Sequence, residues 1–332
     1  VAEAAAWTEH EIADLVAKVD GLKRSMGQVI IGQKDVIELL VTCLLAGGHA
    51  LVEGVPGLGK TLLVKSLAQA TDMQFRRVQF TPDLMPSDIV GTEILEEDQA
   101  TRKRVFRFQQ GPVFTQVLLA DEINRAPPKT QSALLEAMQE RSVTFAGQTH
   151  KLPRPFFVLA TQNPIEQAGT YPLPEAQLDR FLLRIDVGYP TEDEEMAMVG
   201  ATTHAGLVDA EPAMTLEALL RLQQLVRDIE IGEPMLRYAT RLVRATRPGD
   251  SPVEAIRKHI GWGAGPRAGQ ALVLASKARA LMHGRLAVTR EDIGAMLLPV
   301  LAHRVLRNFE AEADGIAIAD ILAALRREVR ID

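Results

Sequence analysis

The chain has 332 residues, 47% apolar and 24% charged, enough for two globular domains, and its single cysteine excludes an intramolecular disulfide. With 37 basic and 43 acidic residues the net charge is −6, which disfavours a dedicated nucleic-acid binder. Seven scattered histidines show no zinc-binding spacing, and the most apolar window, residues 39–52, falls well short of the roughly 20 residues a membrane span needs.

Residues 1–11 carry Glu3, Glu9 and Glu11 ahead of any apolar run and lack a basic leader pattern, so the expected location is the cytoplasm. Thr8 and Glu11 have capping-box spacing before Ile12, Leu15, Val16, Val19 and Leu22, which predicts an opening amphipathic helix. Cys43, in the apolar stretch Val41–Ala46, reads as a small core residue. Four short apolar runs, Ala50–Glu53, Arg77–Phe80, Val117–Ala120 and Phe156–Thr161, have the length of buried strands, and a fifth covers Phe181–Val187. Helical stretches at 60–71 and 129–141 alternate with them. That alternation predicts an α/β fold, a parallel sheet covered on both faces, over residues 1–188. Beyond Gly188-Tyr189-Pro190 no strand is expected. Thr191 and Glu194 form a second capping box, and helices are predicted near 191–203, 215–228, 235–247, 267–283 and 289–304, so residues 189–332 read as an all-α lid domain. Pro248-Gly249-Asp250 and residues 261–266 carry loop signals.

Gly54-Val55-Pro56-Gly57-Leu58-Gly59-Lys60-Thr61 fits G-x-x-x-x-G-K-[ST], follows the first predicted strand and runs into a helix at Leu62. Glycines there let successive backbone N–H groups face a pyrophosphate, while the helix N-terminus adds its positive dipole end. Lys60 is assigned to the β- and γ-phosphates of ATP, and the Thr61 hydroxyl to Mg²⁺. Asp121 and Glu122 end a strand. Two adjacent acids after a strand are usually a solvated loop, but beside a P-loop Asp121 suits the Mg²⁺ shell and Glu122 the general base for the attacking water. Asn163 before Pro164 is ordinarily a turn former, and Arg180 and Arg267 taken alone read as surface ion-pair residues.

Together these residues resemble the AAA+ ATPases. The stretches Ala120-Asp121-Glu122-Ile123-Asn124-Arg125-Ala126, Thr161-Gln162-Asn163-Pro164 and Leu178-Asp179-Arg180-Phe181 resemble specifically the MoxR family, in the helix-2-insert clade. The resemblance implies Asn163 as sensor 1 and Arg180 as the arginine finger donated across a subunit boundary, with Arg184 its competitor. It also implies Arg267 as sensor 2, reading with Asn163 the ATP bound between subunits, and places Ile30, Ile31 and Gly32 along the adenine pocket. Thr92–Leu95 with Val105–Phe108, and Ser142–Phe145 with Thr149–Leu152, bracket turns where that clade carries two pore-facing hairpins, which are candidate substrate contacts. The implied function is Mg²⁺-dependent ATP hydrolysis in a homo-oligomeric ring, a hexamer. It would drive chaperone-like remodelling, maturation or metal-cofactor insertion in a protein client, with a partner bearing a von Willebrand factor A domain. Two alternatives share the same ATPase: a nucleic-acid motor or loader, and a metal-chelatase subunit.

Overall fold

A computed structural model of the chain describes residues 7–55, 57–97, 104–163, 169–203 and 209–331. The first capping box forms as expected: the Thr8 N–H and hydroxyl each donate to Glu11 Oε2 at 2.9 Å, starting α1 (Glu9–Val29). The next helix, α2 (Lys34–Leu45), was not expected from the sequence. Its charged residues Lys34, Asp35 and Glu38 are confined to the first turns, and every residue from Leu40 to Leu45 is buried, so its second half shows no alternation of apolar and polar positions.

The P-loop joins β1 (Ala50–Gly54) to α3 (Lys60–Ala70). There follow β2 (Phe75–Gln79), the short α4 (Pro86–Val90), a hairpin of β3 (Gly91–Glu97) and β4 (Arg104–Gln110), β5 (Val117–Asp121) and α5 (Pro128–Glu140). A second hairpin, β6 (Ser142–Phe145) and β7 (Gln148–Lys151), precedes β8 (Phe157–Gln162), the one-turn α6 (Glu175–Leu178) and β9 (Leu183–Val187). The five central strands form one parallel sheet in the order β2-β5-β8-β1-β9. Their near-continuous apolar runs are sorted by the period of two: Val52, Leu119 and Leu159 enter a core with α1, α2 and α3, while Leu51, Leu118 and Val158 enter another with α4 and α5. Both predicted hairpins are present, and Phe108 of the first stacks on Phe145 and His150 of the second at 5.3 and 4.5 Å between ring centroids. The tip residues 98–103 of the first hairpin lie outside the described residues.

After β9 come α7 (Glu192–Thr203), α8 (Leu216–Asp228), α9 (Glu233–Arg244), α10 (Glu254–His259), β10 (Ile260–Trp262), α11 (Pro266–Met282), α12 (Arg290–Leu301), β11 (Leu306–Arg307), α13 (Phe309–Ala313) and α14 (Ile318–Glu328). The antiparallel β10–β11 pair corrects the expectation of a strandless region with a loop at 261–266. Strands of three and two residues are too short to show an alternating period. The later helices do not stand apart from the sheet: α8 and α11 pack on α2, and α12 on β9, within the same continuous core. Among the described residues no helix is long and apolar enough to cross a membrane.

Candidate nucleotide site

The loop after β1 is shaped by its glycines. A Cβ at Gly54 would lie 2.6 Å from the Val187 carbonyl, so only glycine lets β1 and β9 approach there. Gly57 and Gly59 have φ of +86° and +73°, and no atom lies within 4 Å of where their Cβ would stand. Gly59 is the N-cap of α3 and supplies no side-chain cap, so the leading N–H groups of an 11-residue helix face the loop. Leu58 and Leu62 anchor the loop and first turn on the core, and the Thr61 side chain is exposed. Pro56 lies outside the described residues. Lys60 is half-buried and donates to the Gly54 carbonyl. Burial lowers its pKa, and the nearby Asp121, Glu122 and Glu53 carboxylates oppose that shift.

Asp121 and Glu122 emerge beside this loop. Asp121 Oδ1 accepts from the Thr161 hydroxyl at 2.6 Å, and Oδ2 accepts from Arg77 of β2. Glu122 has φ +56°, and its N–H donates to Thr161 Oγ1 at 2.8 Å. Its carboxylate accepts from Gln79 Nε2 at 2.7 Å and pairs with Arg125 at 3.1 Å. Asn163 is buried just past the end of β8 on the same rim. Ile30 is buried and Ile31 half-buried at the α1–α2 junction; a Cβ at Gly32 would lie 2.6 Å from Glu194 Oε1, so this segment abuts α7.

These groups fit a nucleoside triphosphate with Mg²⁺. Positive-φ glycines with open space, an uncapped helix start and a cation suit the phosphates, and the Thr61 hydroxyl and Asp121 carboxylate are the hard oxygens a Mg²⁺ with a mostly phosphate and water shell uses. The cation meets competition at Asp121, where Arg77, with a 47% exposed side chain, already holds one oxygen.

The arginines are placed elsewhere. Arg180 follows α6 and Arg267 opens α11, and both line a recess of about 260 Å³ with Arg141, Arg227, Arg304 and Gly47–His49. Gly47–His49 precede β1, whereas Lys60 follows it, so the two groups are separated by a five-residue strand, about 17 Å at 3.3 Å per residue. Sensor 2 was expected to read the nucleotide together with Asn163, but the structure instead brings Arg267 to Arg180, because α11 packs on α2 rather than over the P-loop. Arg180 Nε is buried and has no hydrogen-bond partner. The competitor Arg184 is held by Glu53 at 3.1 Å and Asp186 at 2.8 Å, both acids it would have to abandon to reach a phosphate.

Sequence reasoning passed over Arg77, Gln79 and Arg304. The signal for the first two was a pair of long polar side chains two residues apart at the end of a predicted strand, hence on one face of it.

Residues 49–183 match the ATPase family associated with various cellular activities (AAA), and residues 254–325 match an AAA lid domain. The chain is 43% identical to the Chaperone MoxR1 of Mycobacterium tuberculosis, covering 91% of this chain and 80% of that protein. It is 32% identical to the Protein MoxR of Paracoccus denitrificans, covering 95% and 97%. A crystal structure from Cytophaga hutchinsonii, assigned as an ATPase, superposes with a TM-score of 0.90 at 40% identity over 98% of each chain.

Proposed function

The chain belongs to the MoxR family of AAA ATPases, and from that premise we propose that it hydrolyses ATP at the boundaries of a ring of like subunits to remodel a protein client. Hydrolysis of ATP follows from family membership; the chaperone-type role follows the naming of its Mycobacterium relative. The observation that carries the ring is the division of the site residues. Lys60, Asp121, Glu122 and Asn163 lie at one end of the sheet, Arg180 and Arg267 at the other, so a complete site needs two subunits.

In this reading the loop amides, Lys60 and the start of α3 hold the phosphates, with the base along Ile30–Gly32. Thr61 and Asp121 would hold Mg²⁺, which would supply charge neutralisation to the phosphates. Glu122 takes the proton of the attacking water, and Asn163 orients that water. Arg180 and Arg267 of the next subunit place positive charge where it develops in the transition state. The sheet unit, residues 1–188, carries the phosphates and the helical unit, residues 189–332, carries Arg267, so each turnover changes what the helices of one subunit touch on its neighbour. The ring is a hexamer, the client is matured or given its metal cofactor in the cytoplasm, and a von Willebrand factor A domain protein is the partner.

The test is subunit mixing. Arg180→Ala retains its own Lys60 and Glu122, and Glu122→Gln retains its own Arg180. Mixed rings then contain junctions with every group present, and ATPase activity is expected to reappear from two inactive proteins. Rings that exchange subunits, as followed by fluorescence transfer, yet stay inactive would refute the shared site.

A further inference from the structure

Arg304 lies between α12 and β11, and its side chain is 3% exposed. Burying a guanidinium is costly unless its donors are all used, and here they are. Nε donates to Asp179 Oδ1 at 2.7 Å, Nη1 to the Leu182 and Val300 carbonyls at 3.1 and 2.5 Å, and Nη2 to the Asp179 and Phe181 carbonyls at 3.3 and 2.5 Å. His303 adds a second contact to the Phe181 carbonyl at 3.1 Å.

The pattern of these bonds is selective. One guanidinium from the helical part holds residues 179, 181 and 182, the immediate neighbours of Arg180 on both sides. Arg180 itself receives none of these bonds: its N–H donates to the Gln177 carbonyl, its side chain is half-buried in the same recess, and its buried Nε has no partner. Apolar packing would have served a simple interface between helices and sheet, often with equal or better stability. A planar fork that clasps three carbonyls and a carboxylate of residues 179–182, and the Val300 carbonyl of α12, instead sets the angle of one turn.

We propose that Arg304 is the positioning residue for Arg180, so that the helical part of each subunit sets the finger it presents to its neighbour. The proposal rests on reading Arg180 as that finger. A rotation of α12 against β9 would carry the Arg304 fork with it, and the turn 179–182 would follow, altering hydrolysis in the next subunit without touching the nucleotide of its own.

The experiment uses the full chain in its assembled state, with kcat, KM and thermal midpoint measured for Arg304→Lys and Asp179→Asn, each alone and combined with Arg180→Ala. Misplacing a catalytic group by about 1 Å costs on the order of 10²-fold. Arg304→Lys is therefore expected to lower kcat about 10²-fold with KM within about threefold, and to lower it no further on the Arg180→Ala background, where single-turnover measurement at high enzyme reads the residual rate. Equal fold losses on both backgrounds would show a general structural effect and overturn the proposal. Should Arg304→Lys fail to fold, Asp179→Asn, nearly isosteric, carries the same expectation. Full kcat in folded Arg304→Lys and Asp179→Asn, with Arg180→Ala inactive, removes the positioning role alone. An Arg180→Ala protein as fast as wild type removes the finger and this proposal together.

Discussion

Arg77 Nη2 and Nε converge on one oxygen of Asp121, Oδ2, at 2.6 and 3.1 Å. The same carboxylate is the candidate for the Mg²⁺ shell, so an arginine and a cation compete for it. Arg77 is 47% exposed, and pairs of this kind are worth about 0 to 1 kcal/mol. Replacing it with Gln is expected to lower the Mg²⁺ concentration that half-activates the ATPase, by up to about fivefold. An unchanged or higher Mg²⁺ requirement would show that the pair assists the cation rather than opposing it.

In the proposed site Lys60 and Glu122 divide binding from turnover. Lys60 is there to neutralise phosphate charge in the ground state, and hydrogen bonds to charged groups contribute about 1.5 to 3 kcal/mol, so on that assignment Lys60→Ala should weaken ATP binding by roughly 10- to 100-fold. Glu122→Gln keeps the phosphate contacts and loses the base, so it should bind ATP normally and turn over slowly. A fluorescent ATP analogue separates the two; equal loss of affinity in both variants contradicts the assignment.

Arg267 shares its recess with Arg180, at the sheet end opposite Lys60. Mixing Arg267→Ala with Glu122→Gln is therefore expected to restore ATPase activity, because the intact Glu122 sites then face intact Arg267 residues. Lys60→Ala mixed with Glu122→Gln, two lesions in one subunit's half, should stay inactive. If Arg267 served its own subunit, the first mixture would be as dead as the second.

Two buried histidines predict acid instability. His49 accepts from the Val158 N–H at Nδ1 and faces the Met138 carbonyl with Nε2, and burial lowers its pKa to about 4. Burial likewise holds His303 well below the ordinary histidine range. The unfolded chain takes up these protons below about pH 6.5 and the folded chain does not, so stability is full above that pH and declines as pH falls towards 4. For His49 alone the loss across that window is about 3 kcal/mol. Asp292 lies outside it. Burial pushes its pKa up, but Arg285, Thr289 and Arg279 together hold it below the usual carboxylate range, so its contribution survives until stronger acid. Urea midpoints at pH 7.5 and 5.0 should differ, and the difference should shrink in His49→Gln; equal midpoints would contradict the linkage.

Much of the architecture is written locally. The five strands lie within two residues of where apolar runs place them, and both capping boxes close, because strand length and helix caps are properties of neighbouring residues. The helix α2 escaped notice for the opposite reason: continuous burial of Leu40–Leu45 leaves its second half without the period that betrays a helix.

The candidate site divides along the same line. Gly54 to Leu62 form one unbroken segment, so the phosphate-binding half is legible from residue type and order alone, as are Asp121 and Glu122 at the end of an apolar strand. Resemblance nominated Arg180 and Arg267, but whether they reach their own nucleotide or a neighbour's depends on where α11 packs, which no local pattern records. Arg77 meeting Asp121 is a register between parallel strands, and Arg304 meeting the turn 179–182 joins segments far apart in the chain. Residue type and order nominated the residues proposed to carry the chemistry; packing placed each of them at one end of the sheet or the other, since long-range packing is a sum over contacts that leave no periodic trace.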